Sequence, residues 1–170
     1  MFIAIHKNPK YLQSYFQVVE NINPNITMQL TDSGIYIQVM NVCHTCIFNS
    51  LLSSDDFESY NIKKNQKIGL PLKYLVKILD LMDTNDTVEF NLKSTDMLYV
   101  IRRSNSKTSI FKIKLLDLDY TEFDSSQFDL DYDMKLKVNF DQFQNDIKEM
   151  MVLEAESVTI DNSNGNINFV

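Results

Sequence analysis

Both cysteines of the chain and one of its two histidines lie within four consecutive residues, Cys43-His44-Thr45-Cys46. Thiolate and imidazole groups bind zinc, and paired thiols carry disulfide exchange. A structural zinc site usually needs four ligands, and the chain offers only the distant His6 as a further one of this type. A thioredoxin-type pair opens a helix after a strand. Metal binding, redox chemistry and a purely structural role are the three interpretations.

The residues on either side of this motif favour the structural role. Residues 35–40 and 47–48 are mostly β-branched, aliphatic or aromatic, and no Gly or Pro interrupts them. In a continuous strand Cys43 and Cys46 would point to opposite faces, so they would share neither a metal nor a disulfide easily. We therefore expect two buried thiols that pack as small apolar side chains, with no metal and no cofactor. The role of His44 stays open at this point.

The composition is that of an ordinary folded domain: 170 residues, 44% hydrophobic and 23% charged. A net charge of −7 excludes a polyanion-binding surface over the whole molecule but allows a local basic patch. The longest apolar runs are too short to cross a membrane, and the first residues lack the pattern of a signal peptide. We expect no membrane association, and thiols kept reduced inside a cell. No phosphate-binding glycine loop, nucleophile–histidine–acid arrangement or metal-spaced acidic cluster predicts an enzyme.

A regular order of elements recurs along the chain: strand, helix, strand, turn, strand. The period between the first two units is about 66 residues, which is an internal repeat. The first predicted unit has strands 2–5, 26–31 and 35–40 and a helix that begins at Asn8 and Pro9. The second has strands 67–70, 87–92 and 97–101 and helix 71–82. The third has strands 134–138, 157–160 and 167–170 and helix 140–151.

Two further segments join these units. A strand from Cys46 leads into an acidic turn at 53–56, and a strand at 109–116 leads into the acid-rich segment 117–131. The latter has no apolar period and predicts an exposed connector. Its large apolar residues, Leu118 and Phe123 among them, either pack onto a sheet or form part of a docking surface.

Lysines recur on the polar sides of the predicted helices. Lys73 and Lys77 are four residues apart and share a face, and Lys10 and Lys148 lie on the polar sides of the first and third helices. On an acidic chain this pattern predicts either one electropositive surface for phosphates or ordinary solvated helix faces.

Residues 32–40, Asp-Ser-Gly-Ile-Tyr-Ile-Gln-Val-Met, followed by His44, resemble the hairpin of the proliferating cell nuclear antigen (PCNA) family, the eukaryotic and viral DNA sliding clamps. Lys77-Ile78-Leu79 is similar to the second helix of that family, and residues 115–119 are similar to the start of its interdomain connector. The resemblance implies an α+β DNA-clamp fold of repeated β-α-β-β units, with helices on one face of antiparallel sheets. It also implies clamp domain 1 at 1–116, the connector at 117–131 and an incomplete start of clamp domain 2 at 132–170.

The function that the resemblance implies is that of a processivity factor which encircles duplex DNA without reading its sequence and performs no chemistry. Its implied partners are DNA polymerase, other replication and repair enzymes with a clamp-binding motif, and a clamp loader. The full-length protein would be a homotrimer, in the nucleus or at the cytoplasmic replication site of a large DNA virus. The alternative is a clamp-fold docking module that does not encircle DNA.

The resemblance also implies functional residues. Lys77 matches a DNA-facing lysine and Lys148 a basic position of the second domain, while helix geometry adds Lys10 and Lys73. The implied pocket for client peptides consists of Met40, His44, Ile47, Leu118 and Phe123.

Three departures from the family pattern carry expectations. Asn41 replaces the usual Asp beside the pocket, a conservative change that removes a charge. Positions that are lysine in close relatives hold Gln13, Ser14, Glu20 and Asp80, so we expect a looser grip on DNA, or one partly supplied by the second domain. The chain also ends after two strands of the second domain. We expect a fragment, an incomplete gene or a divergent clamp whose remainder is encoded elsewhere, because the strand at 109–116 would find no edge partner in another copy of this chain.

Overall fold

The computed structural model describes residues 1–120, 123, 137–152, 159–163 and 166–169. The chain divides into two compact units, Met1–Asp124 and Ser125–Val170. This boundary falls inside the predicted connector 117–131, and the assignment of the units to two clamp domains stays a prediction. Over the described ranges, no helix is long and apolar enough to cross a membrane.

The first unit repeats the order strand, helix, strand, strand, as the sequence predicts. Its elements are β1 (Phe2–His6), α1 (Pro9–Ile22), β2 (Asn25–Thr31), β3 (Gly34–Met40), β4 (Ile47–Ser53), β5 (Ser59–Ile62), β6 (Gln66–Pro71), α2 (Leu72–Asp80), β7 (Thr87–Leu92), β8 (Met97–Arg103) and β9 (Thr108–Lys114). Strand β5 was not predicted, whereas the acidic turn predicted at 53–56 is present as a 3-10 turn at Ser54–Asp56.

The two repeats of the first unit interlock. One antiparallel sheet has the order β5-β1-β7-β8-β9 and the other has the order β4-β3-β2-β6. Strand β1 of the first repeat therefore pairs with β7 of the second, and β2 pairs with β6. Each repeat completes a sheet of the other, so neither buries its apolar face alone.

Local chemistry sets the start of helix α1, as the sequence predicts. The Asn8 side chain accepts a hydrogen bond from the Tyr11 amide at 2.9 Å, and Pro9 occupies the first turn. Leu12, Phe16 and Val19 then fall on one buried face.

Helix α2 packs beside α1 and buries a similar apolar face, formed by Leu72, Leu75, Val76 and Leu79. The alternating apolar residues of both sheets complete a continuous core with these two helices. Both helices thus cover the same core and leave their polar sides to solvent.

Gly69 of β6 brings the start of the predicted connector against the second sheet. The Leu116 amide donates a hydrogen bond to the Gly69 carbonyl at 2.9 Å. A Cβ atom at position 69 would lie only 2.3 Å from the Leu116 carbonyl oxygen and 3.0 Å from Leu118 Cγ. The absence of a side chain at residue 69 is what allows this close approach.

The second unit contains α3 (Phe140–Val152), β10 (Ile160–Ser163) and β11 (Asn166–Phe169), the two strands forming an antiparallel hairpin. The predicted helix 140–151 is confirmed. The strand predicted at 134–138 is not found at residues 137 and 138, and its residues 134–136 lie outside the described part of the chain.

Candidate nucleic-acid interface and partner cavity

The outward side of helix α2 carries two free lysines. Lys73 and Lys77 are exposed, whereas the aliphatic face of the same helix, Leu72, Leu75, Val76 and Leu79, is buried in the core. Within the described part of the chain, neither ammonium group takes part in an ion pair. These two positive charges are therefore available to a polyanion.

Lys10 is held by the neighbouring helix instead. Its Nζ atom donates to the Asp80 backbone carbonyl at 3.0 Å and lies 3.8 Å from Asp80 Oδ1. Gln13 donates to the same carboxylate oxygen at 3.1 Å. Asp80 is the last residue of α2, so these contacts fasten the start of α1 to the end of α2. The sequence grouped Lys10 with the DNA-facing lysines without revealing this pairing, because the two residues are far apart in the chain.

Lys148 lies on helix α3 of the second unit. Its side chain is exposed, and its Nζ atom donates to Gln144 Oε1 at 3.3 Å, one turn earlier on the same helix. The predicted DNA-binding set thus comprises Lys73 and Lys77 with free charges, Lys148 with a neutral partner, and Lys10 in an ion pair.

A cavity of about 400 Å³ lies where the connector crosses strands β2 and β3. Three of the five predicted pocket residues, Met40, Leu118 and Phe123, line it. The full lining also includes Asn23, Asn25, Ile26, Thr27, Gln38, Val39, Asp119 and Tyr120. The cavity combines apolar walls with amide and carboxylate groups, which suits a short peptide.

Two glutamine side chains fix the connector over this cavity. Gln38 Nε2 donates to the Phe123 carbonyl at 2.8 Å, and the Phe123 amide donates to Gln38 Oε1 at 2.7 Å. Gln29 donates to the Tyr120 hydroxyl at 2.7 Å, and Lys67 Nζ lies 4.1 Å above the Tyr120 ring. The connector is therefore docked through side chains of the sheet.

The role of both glutamines was not predicted from the sequence. Each occupies a strand position on the face away from the core, where the connector covers Gln38 and leaves it 6% exposed. Polarity at such a position is ordinary on a solvated face, so nothing in the pattern distinguished these two side chains from others.

The strand predicted through the Cys43–Cys46 motif is wrong. Strand β3 ends at Met40 and β4 begins at Ile47, and residues 41–46 form a loop between them. His44 adopts a positive φ of 58°, which a strand does not contain. The expectation of buried thiols is also wrong, because Cys43 and Cys46 are both exposed.

The Asn41 side chain organises this loop. Its Oδ1 atom accepts from the amides of Thr45 and Cys46 at 2.8 and 3.0 Å, and its Nδ2 atom donates to Thr45 Oγ1. The Asn41 amide donates to the Cys46 carbonyl at 3.0 Å. A side chain that imitates a turn in this way explains how the loop forms without Gly or Pro.

His44 and Ile47 do not line the cavity. His44 is exposed within the loop, and Ile47 is 40% exposed at the start of β4, paired with Met40. Their predicted docking role stays a prediction. Ile47 pairs with the lining residue Met40, and the His44 amide donates to the carbonyl of Asn41, the residue after Met40. Among the described residues, no group of three or more possible metal ligands comes together.

A second, larger cavity of about 810 Å³ separates helix α2 from the free edge of strand β9. Strand β9 pairs only with β8, so its other edge is unpaired within the described part of the chain. Three large side chains that line this cavity are more than half exposed: Tyr74 at 58%, Leu81 at 59% and Ile110 at 59%. An apolar groove beside an open strand edge is the geometry that accepts a strand from another molecule.

Comparison with known proteins identifies related chains. A sequence model described as the proliferating cell nuclear antigen N-terminal domain matches residues 1–126. The proliferating cell nuclear antigen of Dictyostelium discoideum is 27% identical over 164 residues, covering 94% of this chain and 61% of the relative. A probable DNA polymerase sliding clamp 2 of Paramecium bursaria Chlorella virus 1 is 24% identical, covering 77% of this chain and 48% of the relative.

The fold is also similar to a solved structure. The crystal structure of PCNA from Thermococcus kodakaraensis superposes with a TM-score of 0.70, covering 73% of this chain and 50% of that one at 19% identity. The α+β fold expected from the sequence is confirmed. The chain spans about half to three-fifths of the length of these curated relatives.

Proposed function

Because this chain belongs to the proliferating cell nuclear antigen family, we propose that it forms part of a DNA sliding clamp. In this role it encircles duplex DNA and keeps a DNA polymerase on its template, without catalysing a reaction itself. The observation that carries the proposal is the exposed side of α2. Lys73 and Lys77 carry positive charges there without an ion pair among the described residues, and the neighbouring helix α1 covers the same core.

Few cations suffice for such a function. Each lysine that neutralises a phosphate releases a counterion, and this attraction is independent of base sequence. A clamp that surrounds its DNA must slide, so weak contacts serve it better than strong ones. The overall charge of −7 and the Lys10–Asp80 pair both keep the electrostatic attraction low. In this proposal Lys148 of α3 would supply a further positive charge to the DNA.

The groove beside β9 supports assembly into a ring. We assign its occupant as the edge strand of the second domain of a neighbouring clamp subunit, in a homotrimer of the full-length protein. Backbone pairing would extend the five-stranded sheet, and apolar side chains would cover Tyr74, Leu81 and Ile110. In this assignment residues 1–116 are clamp domain 1, residues 117–131 are the connector and residues 132–170 begin domain 2.

The cavity under the connector supports docking of client proteins. A short peptide with an amide group and apolar anchors would meet Gln38, Met40 and Leu118 at the described walls. The clients would be DNA polymerase and other replication and repair enzymes, and a clamp loader would place the ring on DNA. The site of action would be the nucleus or the replication site of a DNA virus.

One observation favours a second candidate, a docking module that does not encircle DNA. Asp80 neutralises Lys10 on the helix side of the unit, which reduces the positive charge that faces a duplex. A monomer that binds client peptides but shows no topological link to DNA would be this module.

Two measurements on the full-length protein separate the candidates. Sedimentation analysis distinguishes a trimer from a monomer. Retention after loading on nicked circular DNA, compared with the same DNA linearised, tests encirclement. A trimer retained on circles and lost from linear DNA supports the clamp, whereas equal retention on both forms rejects encirclement.

A further inference from the structure

The loop at residues 41–46 holds the two thiols of the chain in one short closed segment. Its two ends are fixed by the Met40–Ile47 pair of the β3–β4 ladder and by the hydrogen bond from the Asn41 amide to the Cys46 carbonyl. The His44 amide donates back to the Asn41 carbonyl at 3.0 Å, which forms a turn over residues 41–44 that contains Cys43. Cys43 therefore lies within this turn, and Cys46 lies at the closed end of the loop, hydrogen-bonded to Asn41.

The loop geometry allows Cys43 and Cys46 to act as a thiol pair, which the predicted strand would not have allowed. Strand geometry would have placed the two side chains on opposite faces of a sheet, but no strand is present here. Two thiols in one closed loop stay at high effective concentration relative to each other. Both are exposed, so a dissolved oxidant reaches them without any unfolding.

Metal binding has less support than redox chemistry at this loop. His44 lies between the cysteines in sequence, yet the three side chains do not come together as a ligand group. Two thiols are too few for a closed zinc site, which takes four ligands. A two-electron exchange, in contrast, needs only the two sulfur atoms.

We propose that Cys43 and Cys46 form a reversible internal disulfide by exchange with a small-molecule disulfide such as glutathione disulfide. One thiolate attacks a sulfur of the oxidant and releases one glutathione thiolate, leaving a mixed disulfide on the protein. The second thiolate attacks the protein sulfur of that mixed disulfide and releases the second glutathione. The two protein thiols are oxidised and one glutathione disulfide is reduced to two glutathione thiols, which take up the two protons that the protein thiols release.

The loop adjoins the cavity under the connector, so a disulfide in the loop would affect the wall of that cavity. Asn41 follows Met40 directly, and the Met40 carbonyl accepts a hydrogen bond from Asn23, another lining residue. Closing a ring between residues 43 and 46 would change the loop that Asn41 organises and shift this wall. This regulatory consequence rests on the proposed docking function, whereas formation of the disulfide does not.

The test equilibrates the reduced chain in glutathione buffers of increasing oxidised fraction, quenches with acid and measures intact mass. The expected product is a monomer lighter by two hydrogen atoms. Cys43→Ser and Cys46→Ser variants should instead stop at a mixed disulfide with one glutathione. Wild-type protein that accumulates glutathione on both cysteines, or forms disulfide-linked dimers in place of the internal product, would overturn the proposal.

Asn41 provides a matched pair of variants for the role of the loop. Asn41→Ala removes the acceptor of the Thr45 and Cys46 amides, and we expect the equilibrium constant for ring closure to fall about tenfold. Asn41→Asp keeps an acceptor oxygen, and the constant should stay within about threefold of the wild-type value. Ring closure that is unchanged in Asn41→Ala would show that the loop does not position the thiols.

Binding of a labelled clamp-binding-motif peptide tests the consequence separately. The Kd of the wild-type protein should change at least about threefold on oxidation, whereas that of the Cys43→Ser/Cys46→Ser double variant should not respond to the oxidant. An internal disulfide with unchanged peptide affinity would overturn the regulatory part. Absence of peptide binding in every redox state would count against the docking function, and the mass measurement would still decide the disulfide.

Discussion

Gln38 and Phe123 exchange two hydrogen bonds, one in each direction between the amide side chain of the strand and the backbone of the connector. The residues are 85 positions apart in sequence. This pairing gives the connector one fixed register on the sheet, because a shift by one residue would leave both groups of Gln38 without partners. The wall of the proposed client cavity depends on that register.

Replacement of Gln38 by Leu should release the connector from the sheet. Each hydrogen bond contributes about 0.5–1.5 kcal/mol, so local opening at Phe123 should become roughly 5- to 150-fold more frequent. Hydrogen exchange of the Phe123 amide measures this directly. Asn49→Leu is the matched control, because Asn49 faces Gln38 across the β3–β4 ladder and has no bond to the connector among the described contacts. Equal protection of the Phe123 amide in both variants would contradict this role of Gln38.

Reversal of charge at Lys77 should weaken attraction to DNA. The Lys77→Glu variant should bind a short duplex several-fold more weakly, and the slope of log K against log salt should be less steep by about one. Fluorescence anisotropy at a series of salt concentrations gives both quantities. Lys64→Glu is the control, since Lys64 is an exposed lysine in the turn between β5 and β6. If it lowers affinity equally, the effect belongs to net charge and not to the helix face.

Removal of the Asp80 charge should have the opposite effect. In Asp80→Asn the Lys10 ammonium loses its ionic partner but keeps the backbone carbonyl as an acceptor, so the helix contact survives. We expect DNA affinity to rise about threefold with little change in thermal stability, because exposed ion pairs contribute about 0–1 kcal/mol. Asp55→Asn, which removes an exposed carboxylate from the 3-10 turn, should raise affinity less. A similar gain in both variants would contradict a specific role of Asp80.

The stability of the first unit should fall in mildly acidic solution because of His6. Burial lowers the pKa of His6 below its usual 6.5, against smaller opposing effects of its hydrogen bond with Asn8 and of Asp56. Above pH 6.5 the imidazole is neutral in both the folded and the unfolded chain. Below that value the unfolded chain takes up the proton first, so the free energy of unfolding decreases until the pH reaches the lowered pKa.

Urea titrations between pH 7.5 and 5 test this dependence. In the wild-type protein His6 Nδ1 accepts a hydrogen bond from the Asn8 amide at 3.0 Å. The His6→Asn variant supplies a side-chain oxygen as the acceptor in its place and removes the titrating group. The variant should lose less stability over this range than the wild-type protein, even if it is less stable at pH 7.5. Parallel curves would show that another group is responsible.

The sequence predicted those parts of the fold that local chemistry decides. Asn8 and Pro9 set the start of α1, and the spacing of Leu72, Leu75 and Leu79 gave α2 its buried face. The hairpin of β2 and β3 followed from the turn before Gly34, whose φ of 140° is open to glycine. Residues near one another in the chain determine each of these features.

The predictions that were wrong concern features that depend on contacts between side chains, which the spacing of residue types along the chain does not encode. Val42 and Thr45 are strand formers, yet Asn41 satisfies the amides of the loop through its own side chain and ends the strand. Likewise, the spacing of charged residues placed Lys10 on a polar helix face but could not reveal Asp80 beside it. Met40, Leu118 and Phe123 line one cavity, and only the family resemblance had grouped these three residues together.

The exchange of strands between the two repeats has a consequence for biosynthesis. Phe2 pairs with Leu92, about 90 residues later, so β1 emerges from the ribosome long before β7 is translated. Until β7 is made, the nascent first repeat has an unpaired strand edge and exposed apolar side chains, which are the features that chaperones recognise. Shortened versions of this chain that stop before β7 should therefore be captured by chaperones or aggregate, however sound their local sequence is.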